Sequence, residues 1–406
     1  MIFKVVFQNI KHKPLHTGLS ILLLTTAVGI ISLILQIQET ATQHFEKSVA
    51  PVDLVLGASG SPMQLVLSAV YQMDAPTGNI SYAEAQKWMQ HPFVKKAVPL
   101  AYGDSYVGFS IVGTTSDYLE LYQAQFQKGQ KFNGDFEAVI GYQVAQKAGL
   151  KIGQKFSGVH GLTQEGEEHD ETPYTVVGIL QPTQTVLDKI ILCNIHSVWE
   201  THHHEHEEDQ HEHSEACDHE HDHEEESKEI TAVLLQIKNK MAFVLWPRMV
   251  KENNLQIASP AIEINRLFSL LGVGVETLLA LAYGIMLISG ISIFIALYNK
   301  LKEKKHEFAL LRTLGASRLI LLSLIFLESI FTVVLGFTFG LMVSRILLFM
   351  VAQTDEVSFL TMSGFQGLLT SEVYLLGAVL LLGIFAACIP AVKAFHLSIS
   401  KTLHHG

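Results

Sequence analysis

The sequence predicts a membrane α-helical protein with four transmembrane helices and an α+β extracytoplasmic domain inserted between the first and second of them. Three observations predict it. Four long segments are apolar enough to span a bilayer, region 38–266 mixes helix and strand patterns, and Lys and Arg crowd one side of the spans. The composition agrees, at 49% hydrophobic and only 17% charged residues, where a soluble chain carries nearer a quarter charged.

A bilayer core of about 30 Å takes roughly 20 helical residues. Leu19 to Ile37, Thr277 to Tyr298 and Val373 to Val392 carry no charge, and Leu319 to Ser344 is broken only by Glu328. Strands of a soluble core are shorter than this. The first segment, preceded by Lys4, Lys11 and Lys13, also has to be weighed as a signal peptide. Its apolar stretch is longer than such a peptide needs, and the small-residue exit Ser48-Val49-Ala50 lies well past its end, so we read it as a retained span.

Orientation follows from the positive-inside rule. Lys4, Lys11 and Lys13 precede the first span, and Lys300, Lys302, Lys304, Lys305, Arg312 and Arg318 lie between the second and third. Lys393 and Lys401 follow the last span, while the connection between the third and fourth holds Asp355, Glu356 and Glu372. This puts both termini (1–18 and 396–406) and the 299–318 connection in the cytoplasm, in a bacterial inner membrane. The expected division is span 19–37, outer domain 38–266, and stalk plus second span 267–298. The third span with its extension is 319–352, followed by an outer loop 353–372 and the fourth span 373–395.

Within 38–266, Ser81-Tyr82-Ala83-Glu84 has the form of a capping box and predicts a helix to about Gln90. Tyr142 to Ala148 predicts another, stopped at Gly149. Strands are expected at Tyr106 to Val112, Tyr174 to Leu180, Lys189 to Ile195 and Ile230 to Ile237. The chain has no G-x-S-x-G, no H-E-x-x-H and no Gly-rich phosphate loop, so nothing marks it as an enzyme. It also lacks the basic stripe of a nucleic-acid binder. Cys388, in an apolar run, is expected to be buried and inert, and a Cys193–Cys217 bridge is conceivable only in an oxidising compartment.

Residues 200–228 form the most distinctive segment. Between Glu200 and Glu226 there are 13 Asp or Glu and no Lys or Arg; without them the formal net charge rises from −11 to +2, so the acidity belongs to this insert alone. Interleaved with the acids are His202, His203, His204, His206, His211, His213, His219, His221, His223 and Cys217. Imidazole, thiolate and carboxylate are ligands for Zn²⁺, and the carboxylates lower the cost of concentrating a dication. A segment so poor in apolar residues is expected to be a disordered loop with many exchangeable sites. The bland alternative is a solvated spacer with incidental metal affinity.

Glu303 to Ser317 reads EKKHEFALLRTLGAS. Phe308, Leu311 and Leu314 recur at helical spacing among Lys304, Lys305, Glu307 and Arg312, which predicts a short amphipathic helix. Gly315 is placed to end it and Ser317 to cap the next. Here the chain resembles the FtsX/MacB class of ABC-transporter permeases, which carry R-x-x-E-[IF]-A-[IL]-L-R-x-L-G-A before the third span. Lys304 to Ala316 matches that pattern with Lys in place of the leading Arg. Ile389-Pro390-Ala391-Val392-Lys393-Ala394 is similar to the P-A-x-K-A close of such permeases. Glu137 to Gly141, Ala145, and Gly149 to Gly153 resemble the E-x-V-[IL]-G…A…G-L-x-[IV]-G segment of a MacB-like periplasmic core domain. Tyr174 to Leu180 resembles the strand that follows it.

The resemblance covers the chain apart from the His-rich insert. It implies a permease subunit that pairs with a second permease, binds a separate cytoplasmic ABC ATPase around 303–317, and requires no cofactor of its own. The implied site is Lys304, Lys305, Glu307, Phe308, Leu311, Arg312 and Gly315. It also implies mechanical coupling, in which ATP-driven motion below moves the outer domain against a periplasmic or outer-membrane partner. Glu328, near mid-bilayer, is expected as an interhelical contact at the dimer seam rather than an ion ligand. Combined with the insert, the expected role is in envelope zinc homeostasis; the alternative is export or extraction of lipoproteins or peptides. A metal-conducting channel is disfavoured, because the spans hold no His and no paired carboxylates.

The isolated 201–226 segment should bind several Zn²⁺ ions, with affinity falling steeply as pH drops through about 6.5, because only neutral imidazole ligates. Calorimetry across that pH range checks this, and no heat of binding at pH 7.5 would remove the metal reading.

Overall fold

The computed structural model describes residues 14–159, 172–208, 228–250, 254–352 and 367–396. The chain divides into two compact units, one of residues 43–269 and one of residues 1–42 with 270–406.

The 43–269 unit is built on a sheet. Its strands are β1 (Leu54–Ala58), β2 (Ile80–Ser81), β3 (Val94–Tyr106), β4 (Phe109–Thr114), β5 (Phe126–Gly129) and β6 (Glu137–Ile140), then β7 (Lys155–Phe156), β8 (Tyr174–Leu180), β9 (Ile191–Asn194), β10 (Glu229–Ile230), β11 (Ala232–Ile237) and β12 (Leu255–Ala258). Among the described residues, ten of them form one mixed sheet in the order β12-β1-β11-β3-β4-β9-β6-β8-β5, with β7 beside β8; β10 and β2 pair separately. The pairs β4–β9 and β6–β8 are parallel.

Both faces of this sheet are covered, which is why its strands are continuous apolar runs instead of alternating ones. Leu54, Leu56, Ile111, Ile140, Ile191 and Val233 point into one core, whereas their neighbours Val55, Val112, Val139, Leu192 and Leu234 point into the other. On the first face lie α3 (Tyr82–Met89), α5 (Tyr142–Lys147), α6 (Ile195–Glu208) and α7 (Ala242–Met249), which contribute Ala85, Val144, Val198 and Trp246. On the second lie α2 (Pro62–Ala69), α4 (Asp117–Leu121) and a 3₁₀ turn (Val186–Lys189), through Leu65, Tyr118 and Leu187.

The expected elements are present with local corrections. The helix after Ser81 forms, but the Ser81 side chain makes no capping bond. Tyr106 to Val112 is not one strand: Val107 and Gly108, at φ +52° and +78°, turn the chain into a hairpin between β3 and β4. The strand expected at Lys189 to Ile195 is shorter, because Lys189 closes the 3₁₀ turn and Ile195 opens α6. The insert expected as loop from residue 200 is helical to Glu208. Core packing of Ile195, Val198 and Trp199 nucleates that helix, and each added residue then costs little. Residues 209–227 lie outside the described residues. Cys193 is free and fully buried on β9, whereas Cys388, expected to be buried, is exposed on its helix.

The Glu137 to Gly141 segment acquires a physical reason. Glu137 Oε2 accepts from the backbone N–H of Asn133 at 2.8 Å and Gly134 at 3.1 Å, which holds its carboxyl below the ordinary range. At Gly141 a Cβ would lie 2.1 Å from the Leu187 carbonyl oxygen and 2.6 Å from that of Asp188. Asp188 is itself pinned, its carboxylate accepting from Thr183 and Gln184, so this backbone does not yield easily. Burial raises the Asp188 pKa despite those bonds.

The other unit is a helical bundle of α1 (Pro14–Val49), α8 (Pro260–Glu303), α10 (Arg318–Ala352) and α11 (Thr370–Phe395), with the short α9 (Lys305–Thr313) between α8 and α10. Among the described residues these four long helices are the ones long and apolar enough to cross a membrane. At 1.5 Å per residue α8 spans about 66 Å and α1 about 54 Å, well beyond a bilayer core of about 30 Å. The bundle core is Leu24, Val28, Ile31, Ile293, Leu297, Ile325, Val333, Phe337 and Val379, while Leu278, Leu281, Leu287, Ile288 and Phe385 face outward.

Close helix approach depends on small residues, as expected where hydrocarbon tails compete equally for apolar contacts. On α10, a Cβ on Gly336 would meet Leu24 at 2.7 Å and one on Gly340 would meet Val28 at 2.7 Å. Gly383 of α11 receives Val333, and Gly290 of α8 receives Leu382.

Gly141→Ala should destabilise the 43–269 unit by about 1–3 kcal/mol through overpacking against fixed backbone. Thermal unfolding of the purified full chain, followed by near-UV circular dichroism, checks it; an unchanged transition would show that the 186–189 turn relaxes freely.

Candidate functional site

Three places in the chain concentrate chemistry: the segment joining α8 to α10, the polar side chains buried in the bundle, and the helix ends that belong to the 43–269 unit.

α8 runs to Glu303, so Lys300 and Lys302 belong to that helix rather than to a loop. Lys304 breaks the helix and α9 begins. Gly315 ends α9 in the left-handed region, at φ +99°, and Ser317 Oγ accepts from Ile320 N at 3.3 Å to cap α10. The amphipathic stripe divides differently from its sequence spacing. Phe308 is buried against Leu297, Leu301 and Ile325, whereas Leu311 and Leu314 are 40% and 78% exposed, beside Leu310 at 59%. Lys304 pairs with Glu307 at 3.2 Å, and Lys305 is exposed. Of the sequence-predicted set, Phe308 thus anchors the helix, while Leu311 faces outward.

Glu328 is 4% exposed and pairs with Lys300, joining α10 to α8 within one chain. Its charge is met by a partner on the neighbouring helix of the same chain. Phe308 borders this pair. Lys393 of α11 reaches Tyr298 of α8 at 3.1 Å, and Arg318 lies over the Phe395 ring.

At the opposite end of the bundle a second polar cluster escaped the sequence reading. Glu372, expected in a loop, is fully buried in the first turn of α11. Its carboxylate accepts from Ser32 Oγ at 2.6 Å and Gln36 Nε2 at 2.9 Å on α1, from Arg345 at 3.0 Å on α10, and from Leu369 N at 3.0 Å. Gln36 Nε2 also lies 3.0 Å from Ser344 Oγ. The signals available in sequence were a Gln at the edge of an apolar run, an Arg one residue past a span, and Gly336-x-x-x-Gly340.

At the sheet unit, the last turn of α1 and the first turns of α8 are built into the second core. Phe45 packs against Tyr71 at 4.8 Å and Phe268 at 5.5 Å. Helix ends leave carbonyls without partners; here Tyr122 donates to one of them, Ser48 O, at 2.9 Å, and a turn earlier Tyr71 donates to Phe45 O at 3.2 Å. His44 and Lys47 both meet Gln184.

For the metal candidates, His202, His203, His204 and His206 lie in the last turns of α6, and His211, His213, Cys217, His219, His221 and His223 lie outside the described residues. Among the described residues no group of three or more His, Cys, Asp or Glu converges as a metal site.

Residues 17–216 match the family model of the MacB-like periplasmic core domain, and residues 279–399 match that of the FtsX-like permease C-terminal region. Among solved structures the chain is similar to the periplasmic region of MacB from Actinobacillus actinomycetemcomitans. The identity is 8% and the TM-score 0.35, over 55% of this chain and 95% of that one. It is also similar to the extracellular domain of the noncanonic ABC-type transporter YknZ from Gram-positive bacteria, with 14% identity and a TM-score of 0.32, over 51% of this chain and 99% of that one. No curated protein matches the sequence.

Replacing Lys300 with Ala leaves a buried carboxylate unpaired in the bundle and should cost about 3–5 kcal/mol. The exchange Lys300→Glu with Glu328→Lys should recover part of that loss. Thermal unfolding in detergent tests both; equal stability of wild type and K300A would show that Glu328 does not depend on the pair.

Proposed function

The chain belongs to the MacB/FtsX type of ABC-transporter permease, a transport subunit of the inner membrane rather than an enzyme, and from that premise we propose that it works as a lever. In this reading a separate cytoplasmic ATPase grips α9, and its motion is delivered to the 43–269 domain on the other side of the membrane. The observation that carries the reading is that α1 and α8 are unbroken helices whose ends are built into the domain core, through Phe45, Phe268 and the tyrosine hydroxyls on Phe45 O and Ser48 O. No aqueous path or ion-ligand row is required of the spans.

The ATPase-docking surface we propose is Leu310, Leu311 and Leu314 with Lys305 and Arg312 around them. Exposed apolar side chains on a short charged helix suit a groove on a soluble partner better than hydrocarbon alone. With both termini in the cytoplasm, α9 lies on the ATPase side. A second permease copy or a related chain completes the transporter.

The His-rich insert directs the proposal to metal, with Zn²⁺ as the ion and envelope zinc homeostasis as the role. What supports this is the sequence itself, in which His residues alternate with carboxylates between 201 and 226. Lipoprotein or peptide handling is the outcome that remains if growth of an insert-deletion strain is unchanged at every zinc level.

Leu311→Asp and Gly315→Pro should each abolish co-purification of the ATPase or its coupled activity, at least tenfold, without preventing membrane insertion. Affinity pull-down with ATPase assay of the eluate measures this; normal recruitment and activity in both variants would overturn the docking surface.

A further inference from the structure

α8 continues into α9 through Lys304, so motion of α9 reaches the domain along that helix directly. α1 also enters the domain core, yet the backbone links it to α9 only by way of the domain itself and α8. We infer that α10 is the member that carries α9 motion to α1, and that Gln36, Ser344, Arg345 and Glu372 are the positioning residues that fasten the two helices. The inference rests on the lever reading.

α10 starts directly after the Gly315 turn, so any displacement of α9 moves its first residues. Along α10 three kinds of contact hold it to its neighbours. Glu328 meets Lys300 and keeps α10 in register with α8. Gly336 and Gly340 take Leu24 and Val28 of α1 into direct backbone contact, and Thr25 Oγ1 of α1 donates to Gly336 O at 3.3 Å. At the far end Ser344 Oγ meets Gln36, and Arg345 meets Glu372, which in turn accepts from Ser32 and Gln36. From Glu328 to Arg345 the helix spans about 25 Å, so it is pinned at two depths and its close-packed middle resists sliding.

These bonds are hard to exchange. Glu372 is fully buried, so separating its carboxylate from these donors leaves it unpaired, and the cluster opens only at a cost. A buried polar network of this kind fixes the relative position of α1 and α10 more sharply than apolar packing, whose energy varies little with small slides. α1 also touches α8 inside the bundle, through the Ser20 and Ser292 hydroxyls at 2.8 Å, which gives a contact to control against.

The test uses the full chain with its ATPase in nanodiscs, with Cys217 and Cys388 replaced by serine. Nitroxide pairs are placed at the exposed positions Gln38 and Lys302 to follow α1, and at Leu347 and Lys302 to follow α10. Double electron–electron resonance is recorded with and without ATP and vanadate. In otherwise wild-type protein both distances should shift. In Q36L/S344A, and in the nearly isosteric E372Q should the first variant fold poorly, the Leu347–Lys302 shift should persist while the Gln38–Lys302 shift is lost. Ser20→Ala should retain both. A wild-type Gln38–Lys302 shift in Q36L/S344A and E372Q overturns the inference and leaves the lever intact, as does loss of both shifts, which would make the cluster a support for α10 alone. No shift in the wild-type pairs would instead overturn the lever reading and the inference with it.

Discussion

A charge or amide buried between helices has nowhere to turn but to another helix, and the arrangement of this bundle follows from that constraint. Glu372 collects four donors, three from two other helices and one from its own cap, and Glu328 takes Lys300. Each contact joins elements far apart in the chain, so the polar residues select one helix arrangement among the many that would bury Leu and Ile equally well. The glycines at 336, 340 and 383 act in the same direction, because each admits one particular side chain from one neighbour.

The 43–269 domain obeys a different solvent. Its sheet is buried on both faces, and the residues that resist substitution are those where backbone meets backbone, as at Gly141 against the Leu187 carbonyl. The ends of α1 and α8 are covered by the same core through Phe45 and Phe268, so the domain and the helix ends share one hydrophobic cluster.

The spans, the two domain helices and the helix at 305–313 were legible in the sequence, because each is encoded locally. Charge-free runs measure a bilayer, Gly149 and Gly315 stop helices by their own backbone freedom, and Ser317 caps the one that follows it. The failures share a cause as well. Tyr106 to Val112 has the composition of a strand, and only pairing with its own continuation shows that Val107 and Gly108 turn it back. The His-rich insert has the composition of a loop, but the packed start of α6 carries it on as helix to Glu208. Leu311 shares a spacing with Phe308 yet faces the other way, since the position of α8 and α10 decides which side of a short helix is covered.

By itself the sequence determined what solvent each segment meets: apolar runs for hydrocarbon and double-faced strands for a covered sheet. Those properties are sums over neighbouring residues, so a single chain displays them. Which Glu meets which cation was decided only by tertiary structure. Glu328 reaches Lys300 and Glu372 reaches Arg345, Ser32 and Gln36 across 27 to 340 positions of sequence. Such pairings arise because helices cross in space at depths that no local pattern records, and burial then leaves each charged group a single set of partners.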